Sequence, residues 1–137
     1  MQYWLVKSEP FKYSWETFVS EGRGVWDGVR NYGARNNLKA MSTGDLVLFY
    51  HSTQGLAVVG LARVVREHYP DPGTDDSRWV AVDLEPVEAL PKPVTLARLK
   101  ADVRLQNLAL LRQSRLSVVP ILPHEFDFIV GLAHEHV

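Results

Sequence analysis

Leu46-Val47-Leu48-Phe49-Tyr50-His51, a turn at Thr53-Gln54-Gly55, and then Leu56-Ala57-Val58-Val59-Gly60-Leu61-Ala62-Arg63-Val64-Val65 decide the fold. The first run is apolar without a break and has the length of a strand, and the second is rich in valine and alanine. Together they read as neighbouring strands. Small residues inside the second, Gly60 above all, signal close packing or a bulge.

Downstream, residues 69–77 form an acidic loop punctuated by prolines, whose carboxylates (the Asp75-Asp76 pair, for example) simply solvate it. Arg78 to Glu88 alternates through Trp79, Ala81 or Val82, Leu84 and Val87 as a third strand. Thr95 caps a helix over Leu96 to Ala101, and a second helical stretch follows near Leu105 to Leu111. Leu116 to Ile121 is strand-like, and Pro123 opens a closing helix with Phe126, Ile129, Val130 and Ala133 on one face. Upstream, Thr43-Gly44-Asp45 turns the chain out of a helix over Ala34 to Met41. Trp26 to Tyr32 has no clean period and reads as a loop. Ser14 caps a helix over Trp15 to Ser20, and residues 2–7 alternate as a first strand ending at Ser8-Glu9-Pro10. About five strands with helices scattered between them argue for an α+β, barrel-like domain rather than a parallel βαβ sheet.

The 137 residues, 46% of them hydrophobic, fit one domain over 1–137 with a real core. No apolar run reaches the roughly 18 residues of a membrane span, and the first residues lack a secretory pattern. The chain has no cysteine, which excludes disulfides, thiolate nucleophiles and cysteine-based zinc sites. A soluble, cytoplasmic protein is expected. Net charge is −1, which excludes a globally basic nucleic-acid binder. Locally the charges segregate: 22–40 sums to +3, 98–117 to +4, and 67–90 to −6. Should the two basic segments meet, they would form one positive face suited to phosphates. Ordinary scattered surface charge is the other reading.

The densest grouping is Trp26-Asp27-Gly28-Val29-Arg30-Asn31-Tyr32-Gly33-Ala34-Arg35-Asn36-Asn37. Aromatic faces stack on bases, asparagine amides read base edges, and arginine grips phosphates. The same residues also suit a loop in which Trp26 plugs the core and the asparagines form turns. Leu111-Arg112-Gln113-Ser114-Arg115-Leu116-Ser117 is a second polar and basic patch, suited to phosphate or to a turn. Phe49-Tyr50-His51-Ser52 is a third, whose histidine can be a ligand or a structural group. No Gly-x-Ser-x-Gly elbow, phosphate loop or dinucleotide fingerprint occurs. His134-Glu135-His136 falls at a fraying end with its imidazoles on different sides, so no metal and no cofactor are expected.

Four blocks carry a resemblance: Tyr3-Trp4-Leu5-Val6-Lys7-Ser8-Glu9-Pro10; Trp26-Asp27-Gly28-Val29-Arg30-Asn31-Tyr32 running on through Ala34-Arg35-Asn36; Gly44-Asp45 with Phe49-Tyr50-His51-Ser52; and Leu111-Arg112-Gln113-Ser114-Arg115-Leu116-Ser117-Val118. In this order, over residues 2–134, they resemble the EVE domain family. The resemblance implies a stand-alone domain with a PUA-like fold, a small mixed or antiparallel β-barrel flanked by helices. It also implies kinship with YTH and ASCH domains and a pocket for modified bases in DNA or RNA. Carried over, Lys7, Ser8, Glu9, Trp26, Val29, Arg30, Asn31, Tyr32, Arg35, Asn36, Tyr50, His51, Ser52, Arg112, Gln113, Ser114 and Arg115 would converge on that pocket. Gly33 departs from the pattern, standing where a glutamine is expected.

The expected function is therefore a non-catalytic module that binds nucleic acid through a modified base. Trp26 would wall the base, Asn31 and Ser8 would read its edge, and Arg30, Arg35, Arg112 and Arg115 would hold flanking phosphates. Flipping a base costs a few kcal/mol and one aromatic stack returns about 1–3, so the arginines must supply net affinity. The alternatives are a PUA- or ASCH-like enzyme acting on RNA or a nucleotide through Lys7, Glu9 and His51, and a protein adaptor using the acidic 67–90 face.

Overall fold

The computed structural model describes residues 1–135. Its elements are β1 (Tyr3–Ser8), α1 (Trp15–Glu21), β2 (Gly24–Trp26), α2 (Tyr32–Ala40), β3 (Leu46–His51), β4 (Ala57–Pro70), β5 (Val80–Thr95), α3 (Leu96–Ala101), a 3-10 turn (Val103–Leu105), α4 (Ala109–Arg112), β6 (Val118–Ile121) and α5 (Pro123–Ala133). The six strands form one mixed sheet in the order β2-β5-β4-β3-β1-β6. Only β1 and β3 run parallel.

The α+β class is as expected, but the barrel is not closed. No ladder joins β2 to β6 among the described residues, and the sheet stays open. Helix α2 lies across that opening. Its Ala34 and Leu38 are fully buried, and Asn37 Nδ2 donates to the Val118 carbonyl of β6 at 2.7 Å. A helix thus shields what a barrel would seal with hydrogen bonds.

The unbroken apolar run of β3 follows from burial on both faces. Val47 and Phe49 point into one core with Trp4, Val6, Trp15, Phe18, Trp26 and Leu38. Leu48 and Tyr50 point into the other with Leu5, Leu99, Leu105, Leu108 and Ile129. Helices α1 and α2 cover the first face, and α3, α4 and α5 cover the second.

Local signals set the helix starts. Ser14 Oγ accepts from Thr17 N at 3.1 Å, and Thr95 Oγ1 accepts from Arg98 N at 3.2 Å. Pro123 occupies the first turn of α5, where the buried Glu125 carboxylate accepts from Leu122 N at 2.9 Å.

Strands β4 and β5 outrun the sequence reading, which ended them at Val65 and Glu88. In β5, Pro86 within the expected strand and Pro91 and Pro93 beyond it lack an N–H for the ladder. The structure places them at irregularities: register shifts between Leu61 and Ala62, opposite Pro86, and between Val58 and Gly60, opposite the stretch that holds Pro91 and Pro93. Such bulges bend the sheet. Gly60 is both bulge and close approach, since a Cβ there would lie 2.4 Å from the Trp15 ring. No helix of the described residues is long and apolar enough to cross a membrane.

Candidate nucleic-acid interface

A cleft of about 270 Å³ opens where β1 ends. Lys7 and Ser8 of β1 and the following Glu9, Lys12 and Tyr13 form one side, and Val25 to Arg30 form the other. Ser117, ahead of β6, completes the lining. Ligand pockets begin near 300 Å³, so the space suits one planar heterocycle rather than a stack of several.

Each side is held by a specific bond. Lys7 N donates to the Ser117 carbonyl at 2.9 Å, and the Ser8 hydroxyl donates to the Tyr13 carbonyl at 2.5 Å. On the other side the key residue is Asp71, whose carboxylate is fully shielded from solvent. It accepts from Gly28 N at 2.9 Å, from Arg30 Nη1 at 2.9 Å and from Gly73 N at 2.7 Å. Burial pushes its carboxyl up, but the Arg30 guanidinium and the two backbone N–H groups outweigh it, and its pKa falls below the ordinary value. Gly28 adopts φ +74, a conformation favoured by glycine, and turns its N–H toward this carboxylate.

Asp71 belongs to the stretch read as a merely solvated acidic loop, and this is a correction. Asp83, on β5 and within the wider acidic 67–90 segment, is also buried, bonded to Arg23 at 2.8 Å and to the Tyr69 hydroxyl at 2.5 Å. Asp76 is held by Arg78 at 2.6 Å, which lowers its pKa to about 2. The acidic 67–90 segment therefore pairs in large part with arginines of the same fold. The one local signal was Asp-Pro-Gly at 71–73, whose Asx turn is the Gly73 bond.

The residues expected to converge divide into groups. Lys7, Ser8, Glu9, Trp26, Val29 and Arg30 line the cleft. Trp26 is 8% exposed, with Tyr13 and Phe49 set edge-on to it at 6.0 and 5.6 Å, so it plugs the core and walls the cleft at once. Asn31 caps α2, its Oδ1 accepting from Ala34 N at 3.0 Å. Tyr32 stacks on Trp79 at 5.2 Å, with Arg35 over its ring at 4.9 Å. Asn36 accepts from Arg35 at 2.7 Å. His51 is absent from the cleft lining: its Nε2 accepts from Trp15 N at 3.1 Å, and burial lowers its pKa against the opposing charge of Glu16.

Tyr50, Ser52 and Ser114 line a different hollow. Arg112 caps the Gln106 carbonyl at 2.7 Å, while Gln113 and Arg115 are exposed in the turn that follows α4. The two basic segments do meet: Leu116 packs on Gly33, where a Cβ would lie 3.1 Å from Leu116 Cδ2. Gly33 accordingly faces Leu116 and does not line the cleft. His134 Nδ1 lies 2.9 Å from the Val130 carbonyl, Glu135 pairs with Arg98, and His136 lies outside the described residues. Sequence reasoning passed over Lys12, Tyr13 and Asp71.

The EVE domain family matches residues 2–132. The chain belongs to the EVE domain family. Mouse thymocyte nuclear protein 1 is 36% identical to this EVE domain over 95% of the chain and 73% of the mouse protein. A crystal structure of a protein from Agrobacterium tumefaciens superposes with a TM-score of 0.96 at 42% identity, covering 98% of this chain and 94% of that one. The crystal structure of human THYN1 protein in complex with 5-methylcytosine-containing DNA superposes with a TM-score of 0.93 at 33% identity, covering all of both chains. The fold, and the fold alone, is shared with a YTH domain of Zygosaccharomyces rouxii at a TM-score of 0.64 and 16% identity.

Proposed function

We propose that this EVE domain is a non-catalytic reader that holds one modified base of a nucleic acid in the cleft between β1 and the Trp26–Arg30 loop. The observation that carries the reading is the electrostatic balance of a base-sized space. Lys12 pairs with Glu9 at 3.3 Å and Arg30 with Asp71 at 2.9 Å, so much of the lining charge is answered from within. A neutral heterocycle suits such a space, whereas a phosphate does not. The human THYN1 chain that superposes on this one over its whole crystallised length was solved with 5-methylcytosine-containing DNA, which supports a cytosine-sized ligand.

Val25, Val29 and Trp26 supply apolar surface to the lining. Covering one methyl group there is worth about 0.8 kcal/mol, or roughly a fourfold preference for the methylated base. His51 as a general base finds no support, because the Trp15 N–H occupies its Nε2 lone pair.

The test is a competition between single-stranded oligonucleotides that differ only in one 5-methyl group. About fourfold or greater preference is expected, reduced by Trp26→Phe, which trims the wall while keeping an aromatic core. Trp26→Ala would confound the result, since emptying a buried aromatic site costs about 3–5 kcal/mol of stability. Equal affinity for both oligonucleotides would overturn the reading.

A further inference from the structure

A second hollow, of about 250 Å³, adjoins the cleft through a shared wall, and Lys7 lines both. The second hollow is bounded by Lys7, Lys100, Tyr50, Ser52 and Ser114 over an apolar floor that includes Leu56 and Leu111. The two lining charges are both lysines, with no carboxylate among the lining residues. That contrasts with the cleft, where Lys12 pairs with Glu9 and Arg30 with Asp71. The Lys7 ammonium donates to the Ser114 carbonyl at 2.8 Å, a neutral acceptor, and burial lowers its pKa. A half-buried ammonium with only a carbonyl for a partner is a place where an anion gains most.

We propose that the second hollow receives the nucleotide adjoining the one in the cleft, with Lys7 at the phosphodiester between them and Lys100 on the outer phosphate. The proposal rests on the base-reading function above and deepens it, for it makes the domain a reader of a two-nucleotide step. The cleft takes the neutral base, and the lysine-lined wall takes the backbone charge. The apolar floor at Leu56, which is 40% exposed, gives the neighbouring sugar and base a surface to cover. This division also gives Tyr50, Ser52 and Ser114 a role that the cleft does not offer them.

The experiment uses the whole chain, with 5-methyldeoxycytidine as a nucleoside probe and the dinucleotides carrying 5-methylcytosine at either position. Lys100→Gln and Leu56→Glu alter the second hollow without touching the cleft. Both variants should bind the nucleoside as the wild type does, by NMR titration. Both should bind the preferred dinucleotide at least fivefold more weakly. Lys100→Gln should also flatten the plot of log affinity against log salt by about 0.7, the share of one single-strand phosphate contact. If both variants keep wild-type dinucleotide affinity and salt slope while the methyl preference survives, the second hollow is not a nucleotide site and the base-reading function stands. A wild-type protein that shows no methyl preference would overturn both.

Discussion

Asp71 is the residue on which the cleft depends although it does not line it. Its carboxylate joins the Gly28 N–H, the Arg30 guanidinium and the Gly73 N–H in one buried node. Charged hydrogen bonds of this kind contribute about 1.5–3 kcal/mol, so Asp71→Ala should lower unfolding free energy by that amount in a urea titration. The same variant should weaken oligonucleotide binding, because the loop from Trp26 to Arg30 loses its anchor. A group whose pKa falls on folding adds stability that is present above its ordinary pKa and lost as acid protonates it in the folded state. Asp71 therefore contributes above its ordinary value of 3.8 and stops contributing as pH falls through its lowered one. His51 follows the same sign higher on the scale. Its folded pKa lies below the ordinary 6.5, so the unfolded chain takes up the proton first and stability declines as pH drops through that region. Thermal unfolding between pH 7.5 and 5 should show this decline, and His51→Gln should flatten it.

At the level of elements, the tightest constraint is the crossing of β4 by α1. A methyl group on Gly60 would meet the Trp15 ring at 2.4 Å, and nothing shorter than a shift of the helix relieves it. Gly60→Ala should cost about 1–3 kcal/mol, visible as a lowered Tm, while Gly131→Ala, with nothing within 4 Å of the added carbon, serves as the permissive control. This crossing was half legible in the sequence: Gly60 announced a close approach, but not that Trp15 was the partner. Strands β1 and β3 and the caps at Ser14 and Thr95 were legible because alternation, an unbroken apolar run and capping residues are local signals. The length of β5 was not, because Pro91 and Pro93 beyond Glu88 cannot donate to a ladder, and only the opposite strand shows that they fall at a ladder break. The candidate site divides the same way. Lys7 to Glu9 and Trp26 to Arg30 stood out as blocks, whereas Asp71 meets Gly28 from 43 positions away and leaves no mark on its own neighbourhood beyond a turn. Asn31 had two readings, base reader or local turn, and its oxygen caps α2.

Over the whole molecule, charge in one segment is answered in another. Arg23 bonds Asp83, Arg30 bonds Asp71 and Arg63 bonds Glu85, so part of the acidic 67–90 stretch is answered from elsewhere in the fold. Of the cations that line the two hollows, Lys12 and Arg30 are paired with carboxylates, and Lys7 and Lys100 are left to displace counterions. Salt dependence should therefore be shallow: a slope of about −1.4 in log affinity against log salt for a single strand, matching about two phosphates, and well short of the roughly −2.8 that four arginines would give. Fluorescence anisotropy between 50 and 300 mM salt measures it directly. The sheet itself has a consequence for how the protein is made. Strand β1 is flanked by β3 on one side and β6 on the other, with Tyr3 opposite both Leu46 and Ile121. On the ribosome β1 emerges before the other strands, gains its parallel neighbour β3 later, and waits for β6 until every other strand has been translated. During that interval one edge of β1, bearing Leu5 and Val6 beside bare backbone donors and acceptors, is open to any nascent strand nearby. Slow translation of the final third would prolong that exposure, so the yield of folded protein should depend on codon speed after β5 and on chaperones that shield a growing β-sheet.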